Sequence, residues 1–148
     1  MQIRPARIED QPEWLRLRAA LWPACPREKH LAEMAEFSGA AAQVVLVVVR
    51  SEGGLGGFLE AGLRPYAEGC ETRPVGYIEG WYVDPDLRRQ GVGGELVRAA
   101  EDWAIAQGCQ EMASDCMIDN ETSRRAHLAL DYQEAGRLIA FKKRLRTP

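Results

Sequence analysis

Two arginines and three glycines stand together in the run Arg88-Arg89-Gln90-Gly91-Val92-Gly93-Gly94. The run follows an apolar, strand-like stretch and opens a helical one. Glycine lets a backbone come close to a ligand, and a helix start presents unpaired N–H groups at its positive dipole end. With guanidinium groups beside it, this reads as an anion site that a pyrophosphate fits best. It is neither a Gly-x-x-x-x-Gly-Lys-Ser/Thr loop nor a Gly-x-Gly-x-x-Gly dinucleotide turn. The plainer alternative is a glycine-rich helix start with solvated arginines. A second kind of chemistry is suggested by Glu79, inside the apolar run Val75 to Val83. A carboxylate in such a strand is expensive to bury unless it has a task. Asp115, just after a short strand-like run, is a second acidic candidate, or a turn residue.

The elements that must position these groups follow from periodicity. Met1 to Arg7 reads as an edge strand, where Pro5 is tolerated. Trp14, Leu15, Leu17, Leu21 and Trp22 fall at helical spacing, with Asp10 as N-cap and Pro23 and Pro26 as terminators. Lys29 to Phe37 predicts a second helix with Leu31, Met34 and Phe37 on one face, closed by Ser38-Gly39. Val44 to Arg50 and Leu55 to Leu63 predict a hairpin across Ser51-Glu52-Gly53-Gly54. Arg64 to Pro74 is a loop, and Val75 to Val83 a central strand that Asp84-Pro85 breaks. Gly91 to Gln107 is the clearest helix, striped by Leu96, Val97, Ala100, Trp103 and Ala104 and ended by Gly108. Gln110 to Asp115 predicts a short strand and Asn120 to Leu130 a helix. Tyr132 to Ala135 and Leu138 to Leu145 predict two closing strands around Gly136. The order is β-α-α-β-β-β-α-β-α-β-β, an α/β fold with a mixed sheet in one domain, residues 1–148.

Composition narrows the function classes. A formal net charge of −3 argues against nucleic acid as partner and suits a cationic small substrate. No apolar run approaches the roughly 18 residues that span a membrane. The start, Met1-Gln2-Ile3-Arg4-Pro5, lacks a signal-peptide profile, so a cytoplasmic location is expected. Cys25, Cys70, Cys109 and Cys116 form no Cys-x-x-Cys pair and no zinc site, and are expected as reduced thiols.

The pattern Arg88-x-x-Gly91-x-Gly93 after Trp81-Tyr82-Val83-Asp84-Pro85 resembles the acyl-CoA motif of the GNAT acetyltransferases. More narrowly, the chain is similar to the aminoglycoside 6′-N-acetyltransferases. Leu21-Trp22-Pro23, Leu31-Ala32, Glu79-Gly80, Gly108-Cys109, and Glu111-Met112-Ala113-Ser114-Asp115 ahead of Asn120, His127 and Leu130 carry that likeness. So does the loop with Tyr66, Gly69 and Cys70. The resemblance implies a single-domain GNAT fold whose central strands splay at the acetyl-CoA site, with helices flanking the sheet. It implies acetyl-CoA as co-substrate, no metal, and a homodimer. Trp81, Tyr82 and Val83 would border the thioester and pantetheine, and Arg88, Arg89, Gln90, Gly91, Val92, Gly93 and Gly94 the pyrophosphate. Asn120 would touch the cofactor, although it equally fits an N-cap. Trp22, Tyr66, Glu79 and Asp115 would line the aminoglycoside site. Trp22 also reads as core packing, and Tyr66 as an exposed loop aromatic.

The implied reaction is direct acyl transfer from a thioester to the 6′-amine. An alkylammonium must lose a proton before attack, and Glu79 is the candidate base. Carboxylates would hold the remaining ammonium groups, and a Val83 N–H would face the charge gathering on the carbonyl oxygen. His127, one helix face from Asn120, is the candidate acid for the leaving thiolate, or a structural histidine. Cys25 and Gly136 stand where some relatives carry His and Glu, and Asp131 where a Gly is usual, a turn geometry Asp tolerates. Two other readings share the cofactor motif: an acetyltransferase for another amine, and a non-catalytic acyl-CoA sensor.

Overall fold

The computed structural model describes residues 1–147. The chain divides into two compact units, Met1–Asp115 and Cys116–Pro148. In the first, five strands form one sheet in chain order: β1 (Gln2–Pro5), β2 (Gln43–Val49), β3 (Leu55–Arg64), β4 (Val75–Val83) and β5 (Met112–Ser114). The first three pairings are antiparallel and β4–β5 is parallel, so the sheet is mixed, as expected. Helices α1 (Gln11–Leu21) and α2 (Arg27–Phe37) lie between β1 and β2, and α3 (Val92–Ala106) makes the crossover from β4 to β5.

Alternation along β2 divides the core in two. Val45 and Val47 join Trp14, Leu17, Met34, Leu55 and Phe58 under α1 and α2. Leu46 and Val48, equally buried, turn to the other face. The α3 stripe Leu96, Val97, Ala100 and Ala104 is buried too. Each fully buried Leu, Val or Phe contributes about 1.5–3 kcal/mol.

Charge ties the rim of this unit to the end of β4. Asp84, buried, accepts from Arg16 of α1 (3.0 Å) and from Arg50 (3.0 Å), which follows β2. Arg50 also holds Asp86 through two 2.8 Å bonds, and both arginines donate to the Leu55 carbonyl. These contacts hold the guanidinium groups in the charged form and keep Asp86 below the usual carboxylate range.

Three expectations change. Asp10 stands at the start of α1 but does not cap it. Its carboxylate is taken by Arg4 (2.7 and 3.1 Å) and the Arg7 N–H (2.7 Å), which close a 3-10 turn ahead of the helix and depress its pKa. On α2 the buried positions are His30 and Met34, while Leu31 is exposed, because a buried arginine of α1 recruits the imidazole. The two closing strands do not form. Residues 131–147 carry no strand, and Leu138, Ile139, Phe141 and Leu145 are 73–91% exposed. An alternating apolar pattern becomes a strand only where a neighbour offers its backbone groups, and no ladder among the described residues takes up this segment.

In the second unit, α4 (Glu121–Ala129) begins at Asn120 and ends in a left-handed residue, Asp131 (φ 67°). The Asp131 N–H donates to Leu128 and the Tyr132 N–H to His127, which satisfies the last carbonyls of the helix. The tolerance expected of aspartate at this turn is what the backbone uses.

Candidate active site

The site is organised by an irregularity in β4. Glu60 of β3 pairs with Gly80 but Ala61 pairs with Ile78, so Glu79 is an extra residue, a β-bulge. The bulge shifts the phase of the strand. A Cβ on Gly76 would strike Ala104 of α3, whereas one on Gly80 would strike Trp22, after α1, at 2.5 Å. In an unbroken strand positions 76 and 80 would face the same way.

The backbone changes phase with the side chains. Before the bulge, the Gly76 N–H faces β5 and donates to the Glu111 carbonyl (3.1 Å). After it, the Asp84 N–H donates to Gly56 of β3 (2.8 Å), so alternation turns the Val83 N–H toward the other edge. On that edge β5 has ended, since its last pair is Ile78 with Ser114. Among the described residues, 81–83 are thus paired in the sheet by β3 alone. This is the expected splay. An extended ligand could add to such an edge as a strand does.

The anion loop follows at once. Arg89 (φ 62°) and Gly91 (φ 81°) are both left-handed, and no side chain caps α3. Consecutive N–H groups at such a start form a concave anion cradle. The two arginines are not equivalent. Arg88 donates from Nε to the Val83 carbonyl (2.8 Å) and lies 5.4 Å from the Tyr82 ring centre, so it braces the strand. Arg89 is exposed and makes no ion pair among the described residues. Gly93 lets α3 pass over Trp81, where a Cβ would sit 3.2 Å from the indole. Gln90 reaches back to the Asp86 carbonyl (3.0 Å). The cradle, the bare arginine and the open strand edge suit a long ligand carrying a pyrophosphate.

The acidic residues lie on the face of Trp22. Glu79 is not buried, contrary to expectation, because the bulge lifts it out of the ladder. Its carboxylate receives the Arg64 guanidinium through two bonds of 2.9 and 2.8 Å. Arg64 lies 3.5 Å over the Tyr77 ring, and the Tyr77 hydroxyl donates to Asp115. Burial, then the Asp115 contact, pushes the Tyr77 pKa up, so it remains a donor. Tyr66 is exposed and donates to Glu68 (3.3 Å), whose charge raises its pKa. Its loop is anchored to the start of β5: Glu111 accepts from the Glu71 N–H (2.9 Å), the Thr72 N–H (2.7 Å) and the Thr72 hydroxyl.

The buried strand carboxylate is Glu60. It accepts from Trp14 Nε1 (2.9 Å) and Arg18 Nη1 (2.5 Å), and burial raises its pKa against the pull of that guanidinium. Arg18 also reaches Glu33 and His30 Nδ1 (3.2 Å). Arg18 and His30 lie 4.9 Å and 6.4 Å from the centre of the Trp22 ring, and so support it from beneath. The argument that singled out Glu79 applies equally to Glu60 in its apolar strand. Arg64, Tyr77, Arg18 and His30 carried no separate signal in the sequence.

Residues 12–132 match the family described as Acetyltransferase (GNAT) family. The chain belongs to this family. An aminoglycoside N(6′)-acetyltransferase type 1 of Klebsiella aerogenes is 45% identical over 146 residues, 97% of this chain and 96% of that one. Its counterpart from Serratia marcescens is 40% identical, over 89% and 91%. Among solved structures, the apo aminoglycoside antibiotic 6′-N-acetyltransferase AAC(6′)-IG of Acinetobacter haemolyticus is similar with a TM-score of 0.93 and 38% identity, over 99% of this chain and all of that one. AAC(6′)-Iy in complex with the bisubstrate analogue CoA-S-monomethyl-acetylneamine gives 0.92 and 35%, over 97% and 98%.

The GNAT candidates on the second unit are defined by local partners. Asn120 Oδ1 accepts from the Ser123 N–H (3.1 Å) and so caps α4. His127, half-buried in the last turn, places Nδ1 2.7 Å from the Ser123 carbonyl and meets the Tyr132 ring edge-on at 5.8 Å. Nδ1 therefore donates to that carbonyl. Among the described residues no group of three His, Cys, Asp or Glu could hold a metal, and no helix is long and apolar enough to cross a membrane.

Proposed function

We propose that this chain transfers the acetyl group of acetyl-CoA to the 6′-amine of aminoglycosides, directly, with both substrates bound together. The observation that carries the reading is the bulged β4. One strand offers an open N–H edge and anion cradle for the donor and, on the face of Trp22, acidic groups for the acceptor. The relatives named above support the acceptor class.

Acetyl-CoA supplies the activated acyl group. Arg89 and the N–H groups at positions 92–94 would hold its pyrophosphate, and the edge at residues 81–83 its pantetheine. Asn120 would add a contact to the same molecule. The Val83 N–H would donate to the carbonyl oxygen as it gains charge. Glu79 would accept the proton of the attacking amine, directly or through water. Asp115, held by Tyr77, would bind another ammonium, with Tyr66 and Trp22 as flanking surfaces. His127 would return a proton to the thiolate.

The reading takes residues 1–148 as one domain, since the family match at 12–132 runs through both units. It places the protein in the cytoplasm, where acetyl-CoA is made and four free thiols stay reduced. It expects no nucleic acid or membrane as partner. It also takes the exposed Leu138, Ile139 and Phe141 as surface covered in a homodimer; a monomer in sedimentation velocity would refute that part. The deciding assay is coenzyme A release with acetyl-CoA and a panel of aminoglycosides bearing a 6′-amine or a 6′-hydroxyl. Turnover confined to the 6′-amines is expected. Turnover of none of them, with acetyl-CoA still bound, overturns the assignment and leaves other amines or a sensor role.

A further inference from the structure

Glu79 already has a cation. Arg64, the last residue of β3, meets its carboxylate with two parallel hydrogen bonds, the fork geometry that a guanidinium makes best. The same guanidinium lies flat enough over Tyr77 to sit 3.5 Å from the ring centre, and Tyr77 in turn holds Asp115. Glu79, Arg64, Tyr77 and Asp115 therefore form one chain of contacts through both carboxylates that the proposed function gives to the amine.

Neither end of the Glu79–Arg64 pair is locked in the core. The side chains are 33% and 42% exposed, so the pair is screened and exchangeable. Arg64 also has a second seat, the face of Tyr77, on which it can remain once the carboxylate is given up.

We propose that Arg64 is an internal counter-ion that competes with the substrate ammonium for Glu79 and thereby sets an affinity threshold at the site. The inference rests on the function proposed above. A ligand with one ammonium exchanges a bidentate guanidinium for a weaker or equal contact and gains nothing. A ligand with several ammonium groups meets the same cost once and offsets it at Asp115 and in the acidic loop after Tyr66. The site would thus ignore simple amines and admit polyammonium sugars, with Arg64 acting on binding and not on the chemical step.

The test uses Arg64→Met, which keeps an apolar stem over Tyr77 without the charge, together with Arg64→Gln and Arg64→Lys. Binding of a four-amine, 6′-amino aminoglycoside and of a mono-amino sugar is measured by calorimetry on the coenzyme A-loaded protein, with turnover measured separately. Both neutral variants should bind the four-amine ligand about fivefold more tightly, the upper range for an exposed ion pair, and should lower KM without lowering kcat. The monoamine should gain by a similar factor, and Arg64→Lys, which keeps the charge without the fork, should fall between wild type and the neutral variants. Unchanged or weaker binding in both neutral variants would overturn the proposal, because Arg64 would then be aligning Glu79 and not masking it. Tighter binding without acetyl transfer in any variant would uphold the counter-ion and remove the proposed reaction. Turnover with no gain in binding would do the reverse, and failure of every variant to bind either amine would overturn both.

Discussion

Replacing Arg18 by methionine isolates the part of the site that is held by buried charge. Arg18 and Glu60 have side chains only 1% and 2% exposed, and among the described residues Arg18 is the one cation in contact with that carboxylate. Its removal leaves Glu60 with the Trp14 N–H alone. Breaking a buried pair from one side costs about 3–5 kcal/mol, about a fifth or more of the roughly 5–15 kcal/mol that stabilises a typical domain. At about 3 °C per kcal/mol for a chain of this size, the midpoint should fall by about 12 °C. The sign of the pH dependence follows from Glu60. Burial already raises its folded pKa above the ordinary glutamate value, and loss of Arg18 raises it further. A carboxyl with a raised folded pKa favours the folded protein below its unfolded value and loses that contribution as pH rises through the folded value. The deficit of Arg18→Met should therefore be smaller at pH 5 than at pH 8. Thermal and urea unfolding at both pH values measure it, and Arg18→Met/Glu60→Leu should regain most of the loss at pH 8. A single variant within about 1 kcal/mol of wild type at pH 8, or a double variant no more stable than the single, would refute the reasoning.

Gly80→Ala places a Cβ 2.5 Å from the Trp22 indole, which must move. KM for the amine should rise about tenfold while KM for acetyl-CoA stays within twofold, as steady-state kinetics would show. Glu79→Gln keeps the shape of the side chain and removes its basicity. Loss of kcat by about a hundredfold or more is expected if Glu79 takes the proton, and an unchanged kcat would reassign that role to water.

The parts of this chain legible in the sequence are those set by local pattern. The β-branched run of β2, the stripe of α3, the turn at Asp84-Pro85 and the glycines at the start of α3 each state their own structure. What was not legible depends on register between distant segments. Glu79 and Glu60 look alike in sequence, each a lone acid in an apolar strand. Only the pairing of β3 with β4 decides that the first is lifted out at a bulge while the second is enclosed with Arg18. Leu138 to Leu145 has the alternation of a strand but lacks a ladder, and alternation carries no information about whether a neighbour exists. Asp10 has the right identity for a cap, yet two nearby arginines, Arg4 and Arg7, claim it first. Arg64 was hidden for the same reason as Glu60, since its meaning comes from the residue opposite.

The extra residue in β4 has a consequence for how such a site can change over generations. Residues 80–83 owe their orientation to their pairing with β3, in which Glu79 takes no part. Deleting Glu79 would join Ile78 to Gly80 with their partners Ala61 and Glu60 unchanged, so Trp81 and the Val83 N–H would keep their directions and the bulge with its carboxylate would be lost. Exchanging the side chain at 79 leaves the same pairing intact. The position is open to deletion as well as to substitution, so the preference for an acceptor can drift while the machinery that presents the acyl group stays in place.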